Sequence, residues 1–238
     1  MKEWLAIVVC AIMIMLVGNA SAGMTPGQGA ARMPGIETDE RGRPTAIEPF
    51  LRVLPMGPLD IDGLGTSVIM IFSTNCENSR QIHSRAAIWA QTLPEGWRFM
   101  PMHVVGPGYT APGPVALAAR AAAQAGAGEF WEHDYWEMMY EAVQSGELDM
   151  EDIAGAVRVA SAAGVDDQAL WDKLVGPDVI EASQTMGDVL IRYQPDRVPT
   201  FIVGDRYMTH PDLVGQNPLD ALRVVNALVA KIIGEKKE

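Results

Sequence analysis

Val68-Ile-Met-Ile-Phe-Ser-Thr-Asn-Cys76-Glu-Asn-Ser79-Arg80 is the stretch whose reading decides the fold. Its apolar, β-branched beginning predicts a buried strand. Ser73-Thr74-Asn75 are small and polar, suited to a turn and a helix N-cap. An amphipathic helix is expected from about Glu77 to Gln91, with Ile82, Ala86, Ile88 and Trp89 on its apolar side. Cys76 then falls at the strand–helix junction, in the first helical turn. Free N–H groups and the positive end of the helix dipole favour a thiolate there, and the thiolate is the nucleophile. The plainer alternative is a small buried apolar residue that happens to be cysteine.

Before this stretch, Ile47 to Leu54 is expected to add an edge strand, since Pro49 keeps it from the sheet centre. After it, Trp97 to Val105 reads as a strand interrupted by Pro101, completing β–α–β. Gly106 to Pro114 is a cluster of breakers. Helices are expected over Val115–Ala125, Glu129–Gln144, Asp149–Ala162, Asp166–Leu174 and Pro177–Tyr193. Gly126, Gly128, Gly146, Gly164 and Gly176 stand as C-caps between them, and Asp166 and Asp178 as helix starts. Val198 to Val203, a Gly204-Asp205 turn and Arg206 to Thr209 predict a hairpin. A closing helix over Pro218–Ile233 carries Leu222, Val225, Leu228 and Val229 on its apolar side. The order is β–α–β, helical block, β–β–α: an α/β fold with an all-helical insertion.

The 238 residues are 48% hydrophobic, enough for one core domain with an insertion. The net charge of −12 argues against nucleic acid or an anionic membrane as the main partner. Residues 1–22 read as a signal peptide: Lys2, an uncharged apolar run from Trp4 to Val17, and an Ala20-Ser21-Ala22 cleavage site. An uncleaved anchor is the competing reading, and it is the only membrane contact expected. Export to the periplasm or beyond implies an oxidising compartment. Cleavage removes Cys10 and leaves Cys76 as the one thiol, unable to form an internal disulfide. Residues 23–45 are rich in Gly, Pro and charge and read as a flexible lead-in.

Taken together, the chain resembles the DsbA family of exported thiol–disulfide oxidoreductases, which combine a thioredoxin-like fold with a helical insertion. Phe72-Ser-Thr-Asn-Cys76-Glu-Asn-Ser79 stands where that family has Phe-x-x-x-Cys-x-x-Cys. Val198-Pro199-Thr200-Phe201 matches its cis-proline loop. Gly128-Glu-Phe-Trp131 and Gly164-Val-Asp-Asp-Gln-Ala-Leu-Trp171 resemble phrases of its helical domain. The resemblance implies a thioredoxin-like domain over 46–105 and 195–234, an insertion over 106–194 and a charged tail over 235–238. It implies a cis Val198–Pro199 bond, with Val198, Pro199 and Thr200 pairing with a substrate strand. Two residues depart from the pattern. Ser79 replaces the resolving cysteine, and Met70 stands six residues before Cys76 where thioredoxin-like proteins usually carry a buried acid. Kappa-class glutathione transferases share the insertion topology but typically use serine, so Cys76 and export count against them.

A single cysteine leaves monothiol exchange: Cys76 forms a mixed disulfide, released by a second substrate thiol or by glutathione acting as reductant. Ser79 is expected to donate a hydrogen bond to the sulfur. Glu77 and Asn78 are its neighbours, and the charge of Glu77 works against a second anion. The expected partners are exported cysteine-containing proteins and an external redox partner. A redox-inactive binding or chaperone module in a secretion or conjugation assembly is the alternative. No resident cofactor is expected. No metal is expected either, because Glu132, His133 and Asp134 do not share a helical face. His83, two turns beyond Cys76, reads as a surface or packing residue, and the aromatic group Phe130, Trp131, Tyr135, Trp136 and Tyr140 as insert core or, alternatively, as the lining of a groove for unfolded substrates.

Overall fold

A computed structural model of the chain describes residues 52–53, 64–104, 110–123, 131–215, 217 and 219–235. The expected signal peptide, the 23–45 lead-in, most of the 47–54 strand, Gly126, Gly128 and the last three tail residues lie outside the described residues. The described chain divides into two compact units. One runs from His103 to Gln194, and the other comprises the residues up to Met102 and those from Pro195 onward.

The second unit is built on a five-stranded sheet. Its strands are β1 (Arg52–Val53), β2 (Ser67–Phe72), β3 (Arg98–His103, whose end leads into the other unit), β4 (Thr200–Val203) and β5 (Tyr207–Thr209), in the order β1-β5-β4-β2-β3. β2 is buried along its whole length, which is why its sequence is a continuous apolar run and not an alternation. Each of Ile69, Ile71 and Phe72 stabilises the fold by about 1.5–3 kcal/mol through burial alone. β2 pairs antiparallel with β4, setting Ile71 opposite Thr200 and Val68 opposite Val203. β4 pairs antiparallel with β5, and β5 with β1.

Pro101 does not interrupt β3. The strand lies at the sheet edge, where a missing N–H costs no ladder bond. The β4–β5 hairpin turns through Gly204 (φ 59°) and Asp205 (φ 56°), the pair of left-handed residues that mirror-image hairpin turns use. A Cβ on Gly204 would lie 2.5 Å from Ile232 Cδ1. Ile232 belongs to α8 (Asp220–Glu235), which packs on β4 and β5. In α8, Val225, Leu228 and Val229 are buried as expected, but Leu222 is half-buried and Ala221 and Val224 take the core positions. Glu235 ends this helix and accepts from Arg206 at 2.9 Å, so it is not simply a free tail residue.

The helical unit contains α2 (Pro112–Ala123), α3 (Trp131–Gln144), α4 (Ile153–Ala162), α5 (Asp167–Leu174) and α6 (Pro177–Tyr193). α2 packs against all four others. Its buried Ala116, Ala118, Ala119 and Ala122 present no bulk, so neighbours approach closely. Pro112, Gly113 and Pro114 open this helix where the sequence reads as a breaker cluster, because first-turn N–H groups have no intrahelical partner to lose. α4 starts later than expected, at the Asp152 cap, whose carboxylate accepts from Gly155 N. Asp166 caps α5. Gly146 and Gly164 sit at φ 78° and 96°, as helix ends require, whereas Gly176 (φ −73°) is the N-cap of α6 and not a C-cap. Asp178 lies in the first turn of α6 and is not its cap. Among the described residues, no helix is long and apolar enough to cross a membrane.

Candidate functional site

The end of β2 delivers the chain into a tight turn and then into α1 (Glu77–Ala90). Cys76 is the N-cap of this helix, with φ −120° and ψ 117°, so it lies one residue outside the first turn where the sequence expectation had put it. Cys76 N donates to Ser73 O at 3.1 Å, and Arg80 N donates to Cys76 O at 3.1 Å as the first helical bond. Asn75 N donates to Ser73 Oγ at 3.3 Å. The expected cap residues Ser73, Thr74 and Asn75 thus shape the turn, while the cap position itself is given to the cysteine.

α1 buries only part of the side that its apolar residues mark: Ile82 and Ala86 are buried as expected. Ile88 is 67% exposed and Trp89 only half-buried. The core face is Ile82 and Ala86 together with two polar residues, Ser79 and His83. His83 packs its ring against Phe72 at 4.3 Å between centroids, which makes it a packing residue. Ser79 is 0% exposed, and its hydroxyl accepts from Ser73 N at 3.3 Å. It therefore ties the helix back to the turn beneath Cys76.

Cys76 is half-exposed as a residue, and its sulfur donates to the Val198 carbonyl at 3.4 Å, across 122 residues of sequence. Among the described residues no hydrogen bond joins Cys76 Sγ to Ser79 Oγ. Glu77 and Asn78 are exposed beside the cysteine, and Glu77 accepts from Gln81 Nε2 at 3.1 Å. The Val198–Pro199 peptide bond is cis. Val198 is half-buried and Pro199 buried. Thr200 is fully buried, and its hydroxyl donates to Arg197 O at 2.7 Å, closing the loop around Pro199. The side chain of Thr200 is thus a loop tie. Met70, at the position of the missing acid, is 0% exposed.

Sequence reasoning missed a charged group at this loop. Arg197 Nη1 donates to Asp212 Oδ2 at 2.6 Å and its Nη2 to Asp196 Oδ2 at 3.3 Å. These bonds raise the Arg197 pKa. Burial pushes the Asp196 carboxyl up, but the hydrogen bond and charge of Arg197 outweigh it and hold it below the usual range. His210 lies at the N-terminus of the short helix α7 (Pro211–Val214) and is 7% exposed. Burial, then the charge of Arg197, pushes its pKa down. The Asp-Arg dipeptide before Val198-Pro199 and the His-Pro-Asp after β5 are the sequence signals that could have joined these residues. Their partnership depends on the hairpin register, which no local pattern fixes.

Neither a protein-family model nor a curated protein matches the chain. Solved structures do. The oxidoreductase NmDsbA1 of N. meningitidis superposes with a TM-score of 0.66 at 16% identity, covering 85% of this chain and 100% of that one. The fold is that of the DsbA oxidoreductases. DsbA of Xylella fastidiosa is similar at a TM-score of 0.62 and 21% identity, covering 76% of this chain and 94% of its own. Pseudomonas aeruginosa DsbA is similar at 0.63 and 17%, covering 79% and 94%. The DsbA-like architecture thus places a thioredoxin-like unit beside the helical insertion in sequence, with Cys76 at the end of the strand that leads into α1. Among the described residues, no group of three metal-ligating side chains gathers. In particular, Glu132 is engaged by Arg120 at 2.9 Å.

Proposed function

We propose that this is an exported thiol–disulfide exchange protein of DsbA-like fold that works through one nucleophilic cysteine, Cys76. The observation that carries the reading is the sulfur of half-exposed Cys76 at the helix cap, directed at the Val198 carbonyl of the cis-proline loop. A free cysteine that only packs is among the most buried of residue types. The periplasm or the exterior is its compartment, and exported cysteine-containing proteins are its substrates.

The chemistry follows from having one sulfur. Cys76, as thiolate, attacks one sulfur of a substrate disulfide. A Cys76–substrate S–S bond forms, and the other substrate sulfur leaves as a thiolate. If a thiolate of the same substrate then attacks the substrate sulfur of the mixed disulfide, a new pairing forms and Cys76 leaves unchanged. That is isomerisation, with no net oxidation. If glutathione attacks instead, Cys76 is released and the substrate keeps a glutathione mixed disulfide, which a second glutathione reduces. Glutathione or an external redox protein is then the reductant. Val198, Pro199 and Thr200 present backbone to the substrate strand. Ser79 holds the turn beneath the sulfur, and Glu77 and Asn78 border the exposed side.

The buried hydroxyl of Ser79 and buried Met70 favour a second reading: a redox-inactive binding or chaperone module of a secretion or conjugation assembly, with Cys76 as a tether. One experiment separates the two. The mature chain and its Cys76→Ala variant are compared in reactivating a scrambled-disulfide protein, with and without glutathione. The exchange reading expects reactivation that disappears in Cys76→Ala. Equal rates for the two chains in both conditions would sink it and leave the binding module.

A further inference from the structure

We propose that Arg197 is a positioning residue for Cys76: its guanidinium, forked across Asp212 and Asp196, fixes the loop whose Val198 carbonyl accepts the hydrogen bond of the cysteine thiol. The inference rests on the reading of Cys76 as the reacting group. The Val198 peptide is held from one side by the Arg197 carbonyl, which accepts from Thr200 Oγ1 at 2.7 Å. Thr200 is anchored by the ladder opposite Ile71 of β2, the strand that leads into the Cys76 turn. That tie fixes the loop's downstream end. The upstream end is held by the Arg197 side chain, bonded at 2.6 Å to Asp212 in the first turn of α7. Asp212 follows β5, which is registered on β4 through Phe201 and Thr209. Both ties therefore return to the same strands that place Cys76.

His210 lies beside the fork. Its imidazole is 7% exposed, with Nδ1 lacking a hydrogen-bond partner, beside the same charged group. Burial and the Arg197 charge keep it neutral near pH 7. A neutral ring does not compete with Arg197 for the two carboxylates, so the fork keeps both.

While the thiol donates to Val198, reaction at sulfur must first break that bond. Releasing the loop should therefore expose the sulfur more often. The test measures the rate of Cys76 alkylation by iodoacetamide in the full chain, for Arg197→Ala, Asp212→Asn and the double variant, beside thermal unfolding. The fork is surface-exposed, with 44% and 54% of the two side chains accessible. Its release should raise the alkylation rate by about two- to fivefold. The double variant should react no faster than Arg197→Ala alone, which already removes both bonds, Arg197→Lys should fall between Arg197→Ala and the unaltered chain, and the difference should shrink in molar salt. Unchanged alkylation in both single variants, or multiplying effects in the double, would overturn the proposal. So would a lowered unfolding temperature without a change in alkylation, the mark of a purely structural pair. Alkylation needs no substrate disulfide. A chain that reactivates nothing would thus remove the exchange reading while the rate comparison still decides the role of Arg197.

Discussion

The two units bury different kinds of side chain. Among the described residues, the buried polar side chains of the helical unit are His103 and Thr110. The sheet unit buries many more: Ser73 and Ser79 lie in the turn and helix that hold Cys76, and Thr200 follows the loop whose carbonyl Cys76 faces. Net charge runs the other way. Half of the chain's 30 acidic side chains, but only four of its 18 basic ones, lie within 103–194. The helical unit is an apolar core under an acidic surface. The sheet unit is near neutral outside and hydrogen-bonded within. Buried polar groups lower stability unless paired, and once paired they fix geometry. Their concentration in the sheet unit marks where geometry matters more than stability.

Three changes sharpen or break this contrast. The largest effect is expected in the apolar unit. Leu170 is fully buried on α5, and Leu170→Ala should destabilise by about 2–5 kcal/mol in denaturant unfolding. Cys76 alkylation in native buffer should not change. If it does, the helical packing is coupled to the sulfur and the contrast fails.

Next comes acid. His103 is buried, its ring stacked 5.9 Å from that of Trp136, and burial pushes its pKa from 6.5 down to about 4. The unfolded chain therefore takes up a proton before the folded one does. Stability from this group is complete above pH 6.5, falls as pH drops, and is lost by about pH 4. The loss is roughly 3 kcal/mol. Unfolding at pH 7 and pH 4, followed by the near-ultraviolet signal of Trp136, should show it, and His103→Phe should flatten the slope. An equal slope in that variant would assign the acid response elsewhere.

The smallest effect probes the polar interior. Ser79→Ala removes the acceptor of Ser73 N–H at a site with no exposure. It should lower the stability of the sheet unit by about 1–3 kcal/mol, toward the low end because the bond is long. A neutral result would mean that the Ser73–Ser79 bond adds nothing to the turn.

The sequence made the order of elements legible where a local rule decides it. The unbroken apolar run of β2, the Gly204-Asp205 turn and the Asp166 cap all lie where the pattern puts them. It misled where a partner distant in sequence decides. Ile88 is apolar and exposed, while Ser79 is polar and buried, because Ser73 across the turn supplies a bond that helical periodicity does not see. Pro112 and Pro114 look like breakers but open a helix, since a proline's missing N–H matters only after the first turn. Cys76 was legible as a candidate from its junction alone. Its approach to Val198 was implied only by resemblance, and the Arg197 fork was not implied at all.

The distance along the chain between Cys76 and the carbonyl it faces has a consequence for biosynthesis. The thiol emerges 122 residues before Val198 does. At about 5–20 residues per second, that is roughly 6–24 s during which the sulfur has no loop opposite it. For that interval the nascent chain carries a thiol without the carbonyl that it faces in the folded protein. Completion of the C-terminal hairpin is thus the event that gives the sulfur its hydrogen-bond partner, and about the last sixth of the protein to be translated supplies it.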